Sequence, residues 1–450
     1  MTQVGEATAR YHKIIEGDAY ADLSWAQALQ ESLKAQKLVS RPVSPVLRPH
    51  FVSGREYASL ERAALATYSA MARAEQMALA HPQLLARFQL LPAERMLAAV
   101  EPGYKVQPMG GLLDTSLQNG SLHFSGHRDG SLASVIYSDM LADLYYDVAP
   151  VKEFRKKYKL SKLNGSKQLL QGLLKAYKEF GGKLKKPAFG IVEFRAPFQP
   201  VESSENALLA EYLRREGFAA EVVSPEQLEY RNGGLRKGDL QIDIVYRAVR
   251  VQEFLVRFDL NHPLVRAYKD RAVCMINTFR SEIATKRALF DLLTDETVTA
   301  KFPAAEKKAI RDFIPWTRMV QAAKTTYKGQ SIDLPDFVMK QRAKLVLKPN
   351  DEGSDHNTFR GAEIDDLGWE KALRQAMRTP YVVQEVAEPV RAMFPLLHYG
   401  SLVMKEMQVE VHPHAFQGKI HGASSWLSLA GSAGFSTLAG MAPTFMLEGK

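Results

Sequence analysis

Lys348 closes an apolar run at 345–347 and opens a polar stretch at 349–358, while Gln384, Glu385 and Val386 follow a second apolar run at 381–383. Both runs have the length and composition of buried strands. A lysine delivered by a strand to the edge of a loop can neutralise phosphate charge. Backbone groups at the end of a neighbouring strand can read the edge of a base. A solvated lysine where a strand meets a loop has the same local pattern and is the commoner case. Between the runs, Leu367, Trp369, Leu373 and Met377 recur at helical spacing and predict an amphipathic helix.

Other residues could do chemistry elsewhere. Asp114 lies in a glycine-rich segment, 107–131, whose alternating Leu122 and Phe124 predict a hairpin turning at Asn119 and Gly120. His123, His127 and Asp129 alternate and would share one strand face, a spacing that suits a transition metal or a polar surface. His412 and His414 alternate in the same way near the C-terminus. Arg247 ends the strand-like IDIVYR, where it could meet a substrate carboxylate or simply brace the strand end. The single cysteine, Cys274, sits in the apolar AVCMI and reads as a buried thiol.

At 450 residues, 46% apolar and 24% charged, the chain can form two or three packed lobes. No apolar run has membrane-spanning length, and the first residues lack the pattern of a signal peptide, so a cytoplasmic protein is expected. The net charge of +9 suits an anionic small molecule as well as nucleic acid. Its densest basic stretch, 152–186, reads as a solvated helix face without a stacking platform, so nucleic acid is not the expected partner.

The positioning elements follow from pattern. Residues 1–106 read as mostly helical, with Trp25, Ala28, Leu29 and Leu33 on one face and an uninterrupted helix over 56–80. From Phe189, strand and helix alternate: AFGIVEF, a helix over 205–216, AAEVVS, a short capped turn at SPEQLEY, LQIDIVYR and AVCMINTF. This predicts a small open parallel sheet without a dinucleotide fingerprint. A helix over 281–296 follows, carrying Lys286.

The order LVLKPND, loop, helix with Trp369 and Glu370, then YVVQE resembles the ATP-grasp fold, in the circularly permuted branch related to glutathionylspermidine synthetase. The resemblance implies an α/β protein with an ATP-grasp core. Its parts would be a helical region at 1–106, a permuted core segment with hairpin and basic helix at 107–186, a pre-ATP-grasp parallel lobe at 187–276 and nucleotide lobes at 277–450. It also implies ATP and Mg2+ as cofactors and an amide-forming reaction between a carboxylate and an amine. In that scheme Lys286 and Lys348 hold phosphate, Gln384, Glu385 and Val386 hold the nucleoside, Asp114 holds metal and Arg247 orients substrate. Phe416, Gly418, Lys419 and Gly422 are similar to the family's closing FxxGKxxG.

The match has gaps. Leu112, Gly126 and Arg128 stand where the family has further metal-site residues, Trp426 stands near its usual arginine, and the phosphate loop carries one glycine among Asp351, Glu352 and Asp355. These departures imply an alternative: a relative without ATP chemistry that acts as a binding or partner subunit for another protein, or that uses the histidine cluster for a repurposed metal site.

Overall fold

The computed structural model describes residues 2–35, 46–105, 111–118, 121–128, 132–194, 205–351, 357–416, 418–429 and 440–449. Three sheets matter for function. The first is wholly parallel, in the spatial order Cys274–Ile276, Ile244–Arg247, Phe189–Val192, Ala220–Val223. Its strands are apolar on both faces because both are covered. Phe189 and Ile191 pack with Leu209 and Leu213 on one side, while Val192, Val245 and Met275 pack with Phe254 and Val265 on the other. Cys274 is buried within it.

The second sheet, here the floor, is antiparallel in the order Thr317–Met319, Tyr381–Glu385, Leu345–Pro349, Phe359–Arg360. The helix Asp366–Ala376 backs it. The buried stripe is Trp369, Ala372, Leu373 and Ala376, whereas Leu367 and Met377 are exposed. Trp369 sets that phase: its indole N–H donates to the Val338 carbonyl at 3.0 Å, which fixes the face that turns inward.

The third sheet, the roof, combines distant parts of the chain. Val390–His398, Ser401–Phe416, Lys419–Leu429 and Gly440–Ala442 form an antiparallel array. Against the long strand Ser401–Phe416 lies the hairpin of Leu112–Gln118 and Ser121–Arg128. The residues expected to form its turn, Asn119 and Gly120, lie outside the described residues. The N-terminal helices close over this core. Gly54–Ala80 starts with a capping box, in which Ser53 and Glu56 satisfy each other's backbone N–H groups. Strand His50–Ser53 pairs in parallel with Thr444–Leu447. In the second helix, Ser24–Ala35, the inward face is Trp25, Ala26, Leu29 and Leu33, with Ala28 turned to solvent.

One expected helix is interrupted. Instead of running over 281–296, it divides into Glu282–Thr285 and Ala288–Leu293, with Lys286 between them in extended conformation, φ −69° and ψ 131°. The cause is tertiary. The N–H of Arg287 donates to the Asn350 carbonyl and that of Ala288 to Asn350 Oδ1, each at 2.8 Å, so the turn after the floor strand takes donors that a continuous helix would use internally. No helix among the described residues is long and apolar enough to cross a membrane.

Candidate functional site

Floor and roof enclose a cleft of about 660 Å³. Lys344, Arg360, Glu385 and Val386 border it from the floor, and His123, Arg391 and Gln408 from the roof. Lys348 stands where floor and hairpin meet. Its ammonium donates to Gln384 Oε1 at 2.8 Å and to the Ser125 carbonyl at 3.3 Å. That carbonyl is available because the hairpin carries a bulge: Asp114 faces Gly126 and Thr115 faces Phe124, leaving Ser125 as the extra residue. Gln384 is itself held, since its amide donates to Thr317 Oγ1 at 2.9 Å. Burial pushes the Lys348 ammonium down to about 7; Arg287 and Arg360 push the same way, and Asp114 and Glu410 oppose them. Near neutral pH this lysine is therefore poised between charged and neutral forms.

The remaining expected nucleotide residues are engaged in other ways. Gln384 is buried and positions Lys348. The Glu385 carboxylate accepts from the Tyr327 hydroxyl at 2.6 Å, and its N–H donates to the Trp316 carbonyl at 2.9 Å. The Val386 N–H donates to the Lys344 carbonyl, also at 2.9 Å. Both backbone donors expected to face a base edge are thus used within the sheet. Lys286 is 1% exposed, pairs with the 2%-exposed Glu94 at 2.9 Å, and also pairs with Asp351. Burial alone would lower its pKa, but Asp351 and Glu94 outweigh that and hold it above the usual lysine range. Glu352 to His356 of the phosphate loop lie outside the described residues.

Arg247 does not reach the cleft as a free guanidinium. It is buried, donates to the carbonyls of Asn277 at 2.7 Å, Thr278 at 3.2 Å and Val249, and pairs with Glu282 at 3.3 Å. Held this way, the guanidinium braces two parallel strands and the segment after them, the second of the two roles its position at the strand end allowed. The proposed alternation of His123 and His127 is likewise undone by the Ser125 bulge. His123 faces the cleft, whereas His127 turns into the core, edge-on to Tyr68, with Nδ1 2.9 Å from the Ala284 carbonyl. Asp129 lies outside the described residues.

Asp114 is brought beside two residues that the motif reading did not connect with it. Its carboxylate, Glu410 and His412 present ligand atoms all within 4.8 Å of one another. Arg128 Nε donates to Asp114 at 2.8 Å, and its guanidinium also lies 3.5 Å from Glu410. Although burial raises it, Asp114 is pulled down to about 2 by Arg128, His412 and Lys348. Magnesium requires oxygen donors in near-octahedral array. Here the described residues offer two carboxylates, an imidazole and a competing guanidinium, which is not a magnesium set. The spacing of Glu410 and His412 on one strand face was a usable sequence signal; their proximity to Asp114 was not.

No protein-family model matches the chain, and no curated protein matches it. Solved structures do. The fold aligns with a glutathione synthetase-like effector from Globodera pallida in its apo form, over 96% of this chain and 98% of that one, with a TM-score of 0.60 at 13% identity. It also aligns with a putative gamma-glutamylcysteine synthetase from Methylobacillus flagellatus KT, at 9% identity, 88% and 89% coverage and a TM-score of 0.39. D-alanyl-alanine synthetase A from Vibrio cholerae aligns over 58% of this chain and 88% of that one, at 9% identity and a TM-score of 0.29. The full-length alignment with the effector carries the assignment. The chain is an α/β protein with an ATP-grasp-like fold.

Proposed function

We propose that the chain is an ATP-grasp-type carboxylate–amine ligase working in the cleft between floor and roof. The observation that carries this reading is Lys348, a partly buried amine held at the junction of the floor strand and the hairpin, on the same floor sheet whose Glu385 and Val386 border a cleft large enough for a nucleotide. The terminal phosphoryl group of ATP passes to the oxygen of a substrate carboxylate, giving ADP and an acyl phosphate. An amine nitrogen then attacks the acyl carbon, the bond to the phosphate oxygen breaks, and the amine loses a proton. Lys348 in its charged form stabilises the transferring phosphoryl group. Glu385 and Val386 border the nucleoside, and Gln384 keeps Lys348 in place.

A circularly permuted relation to glutathionylspermidine synthetase fits the chain order. The hairpin of the roof precedes the parallel lobe and the floor, while the rest of the roof follows them. Small-molecule carboxylate and amine substrates and a cytoplasmic setting belong to the same proposal. Two observations favour the alternative of a protein without ATP chemistry that binds a partner: Lys286 is committed to Glu94 and Asp351, and the Asp114 site does not suit magnesium.

Hydroxylamine separates the two. It intercepts acyl phosphates as hydroxamates, so incubation with ATP, hydroxylamine and a panel of amino-acid and dipeptide carboxylates should yield hydroxamate and ADP in equal amounts for at least one acid. Absence of both products across the panel counts for the binding protein.

A further inference from the structure

His412 is the unexplained residue of the cluster it forms with Asp114 and Glu410 where hairpin and roof meet. It is 4% exposed, and neither ring nitrogen has a hydrogen-bond partner, although Nε2 lies 3.3 Å from the Glu410 carboxylate. A buried imidazole normally donates from one nitrogen and accepts at the other, so an unpartnered ring beside two carboxylates is anomalous. Its strand fixes it there: His412 sits in register with Ser424, immediately before the irregularity between Pro413 and Ala415. Asp114 approaches from the hairpin because Gly126, directly opposite, has no side chain; a Cβ there would lie 2.6 Å from Asp114 Oδ2.

We propose that Asp114, Glu410 and His412 bind a first-row transition divalent cation of the Zn2+ and Mn2+ class. One imidazole nitrogen and two carboxylate oxygens suit such ions, whereas Mg2+ and Ca2+ take oxygen. Three protein donors leave coordination positions for water or a substrate oxygen. In the metal-free protein Arg128 holds the two carboxylates together. Its side chain is 37% exposed, so the guanidinium can turn into solvent as the cation enters. Arg128 is therefore a competitor for the site, while His412 is a ligand. The inference stands on these residues alone and does not depend on nucleotide binding.

The test uses the full-length protein freed of metal by chelation and titrated with ZnCl2, MnCl2 or MgCl2 alone, by calorimetry and by electron paramagnetic resonance of free Mn2+. One site per chain is expected, tighter for Zn2+ than for Mn2+, with no displacement by millimolar Mg2+. His412→Ala should weaken Zn2+ binding by at least about tenfold, and Glu410→Gln, in a more exposed position, should also weaken it. Arg128→Gln should tighten it by a similar factor. His81→Ala, on the exposed surface, should leave affinity unchanged, excluding chance histidine binding. The proposal is overturned if wild type binds no Zn2+, if Arg128→Gln weakens binding, or if folded His412→Ala and Glu410→Gln both bind like wild type.

Discussion

Replacing Lys348 by methionine keeps most of the side chain's volume while removing the titrating amine, which makes its energetic role measurable. In the unfolded chain this lysine has a pKa of 10.5, and in the fold burial pushes it down to about 7. The sign follows from proton counting. Below about pH 7 both states are protonated, and the full cost of the buried ammonium is present. Between about 7 and 10.5 the unfolded chain binds more protons, so stability rises with pH. At 1.36 kcal/mol per pKa unit the whole relief is at most about 5 kcal/mol, of which roughly 2–3 kcal/mol falls between pH 7 and 9. Losing the hydrogen bond to the buried Gln384 Oε1 costs the variant roughly 1–3 kcal/mol independently of pH. Urea unfolding of both proteins at pH 6, 7.5 and 9 isolates the Lys348 contribution, because other titrating groups largely cancel. Wild type should gain on Lys348→Met as pH rises. A difference constant to within about half a kcal/mol across this range, well below the slope above, would refute the burial argument.

Two further outcomes follow from the packing. Lys286→Met strands Glu94 with the Leu91 N–H as its remaining partner, and should destabilise by about 3–5 kcal/mol in urea unfolding, most of which Lys286→Met/Glu94→Gln should restore; a loss below about 1 kcal/mol for the single variant would show that the buried pair is not a pair in solution. Gly422→Ala places a Cβ 2.3 Å from the Leu163 carbonyl oxygen, so the roof strand Lys419–Leu429 must shift. A loss of about 1–3 kcal/mol is expected, and an unchanged melting temperature would contradict that approach.

What could be read from the sequence was local and periodic. The runs at 345–347 and 381–383 formed neighbouring strands because each is uniformly apolar, and the alternation from Phe189 gave the parallel sheet for the same reason. What could not be read depended on distant partners. The break at Lys286 is made by Asn350, the burial of Arg247 by the carbonyls of Asn277 and Thr278, and the neutralisation of Lys286 by Glu94. The His123 and His127 pattern failed through one extra residue, Ser125, which reverses the faces beyond it. Asp114 was singled out from a motif, yet its neighbours Glu410 and His412 come from a strand near the other end of the chain. A resemblance supplies positions in a motif; the charges that surround them are set by packing.

The central claim is that the cleft holds ATP with Lys348 against its phosphates, and a calorimetric titration tests it most directly. ATP and ADP should be titrated into wild type and Lys348→Ala at pH 6.5, where the lysine is mostly charged, with each variant first shown to be folded. The ligase reading expects saturable binding of one ATP per chain, tighter than ADP, and at least about tenfold weaker in Lys348→Ala, as loss of a charge-assisted contact implies. Equal binding by the two proteins would remove Lys348 from the site. No heat of binding by wild type at millimolar ATP, supported by an equilibrium dialysis control, would contradict the ligase and leave the partner-binding protein as the function of this fold.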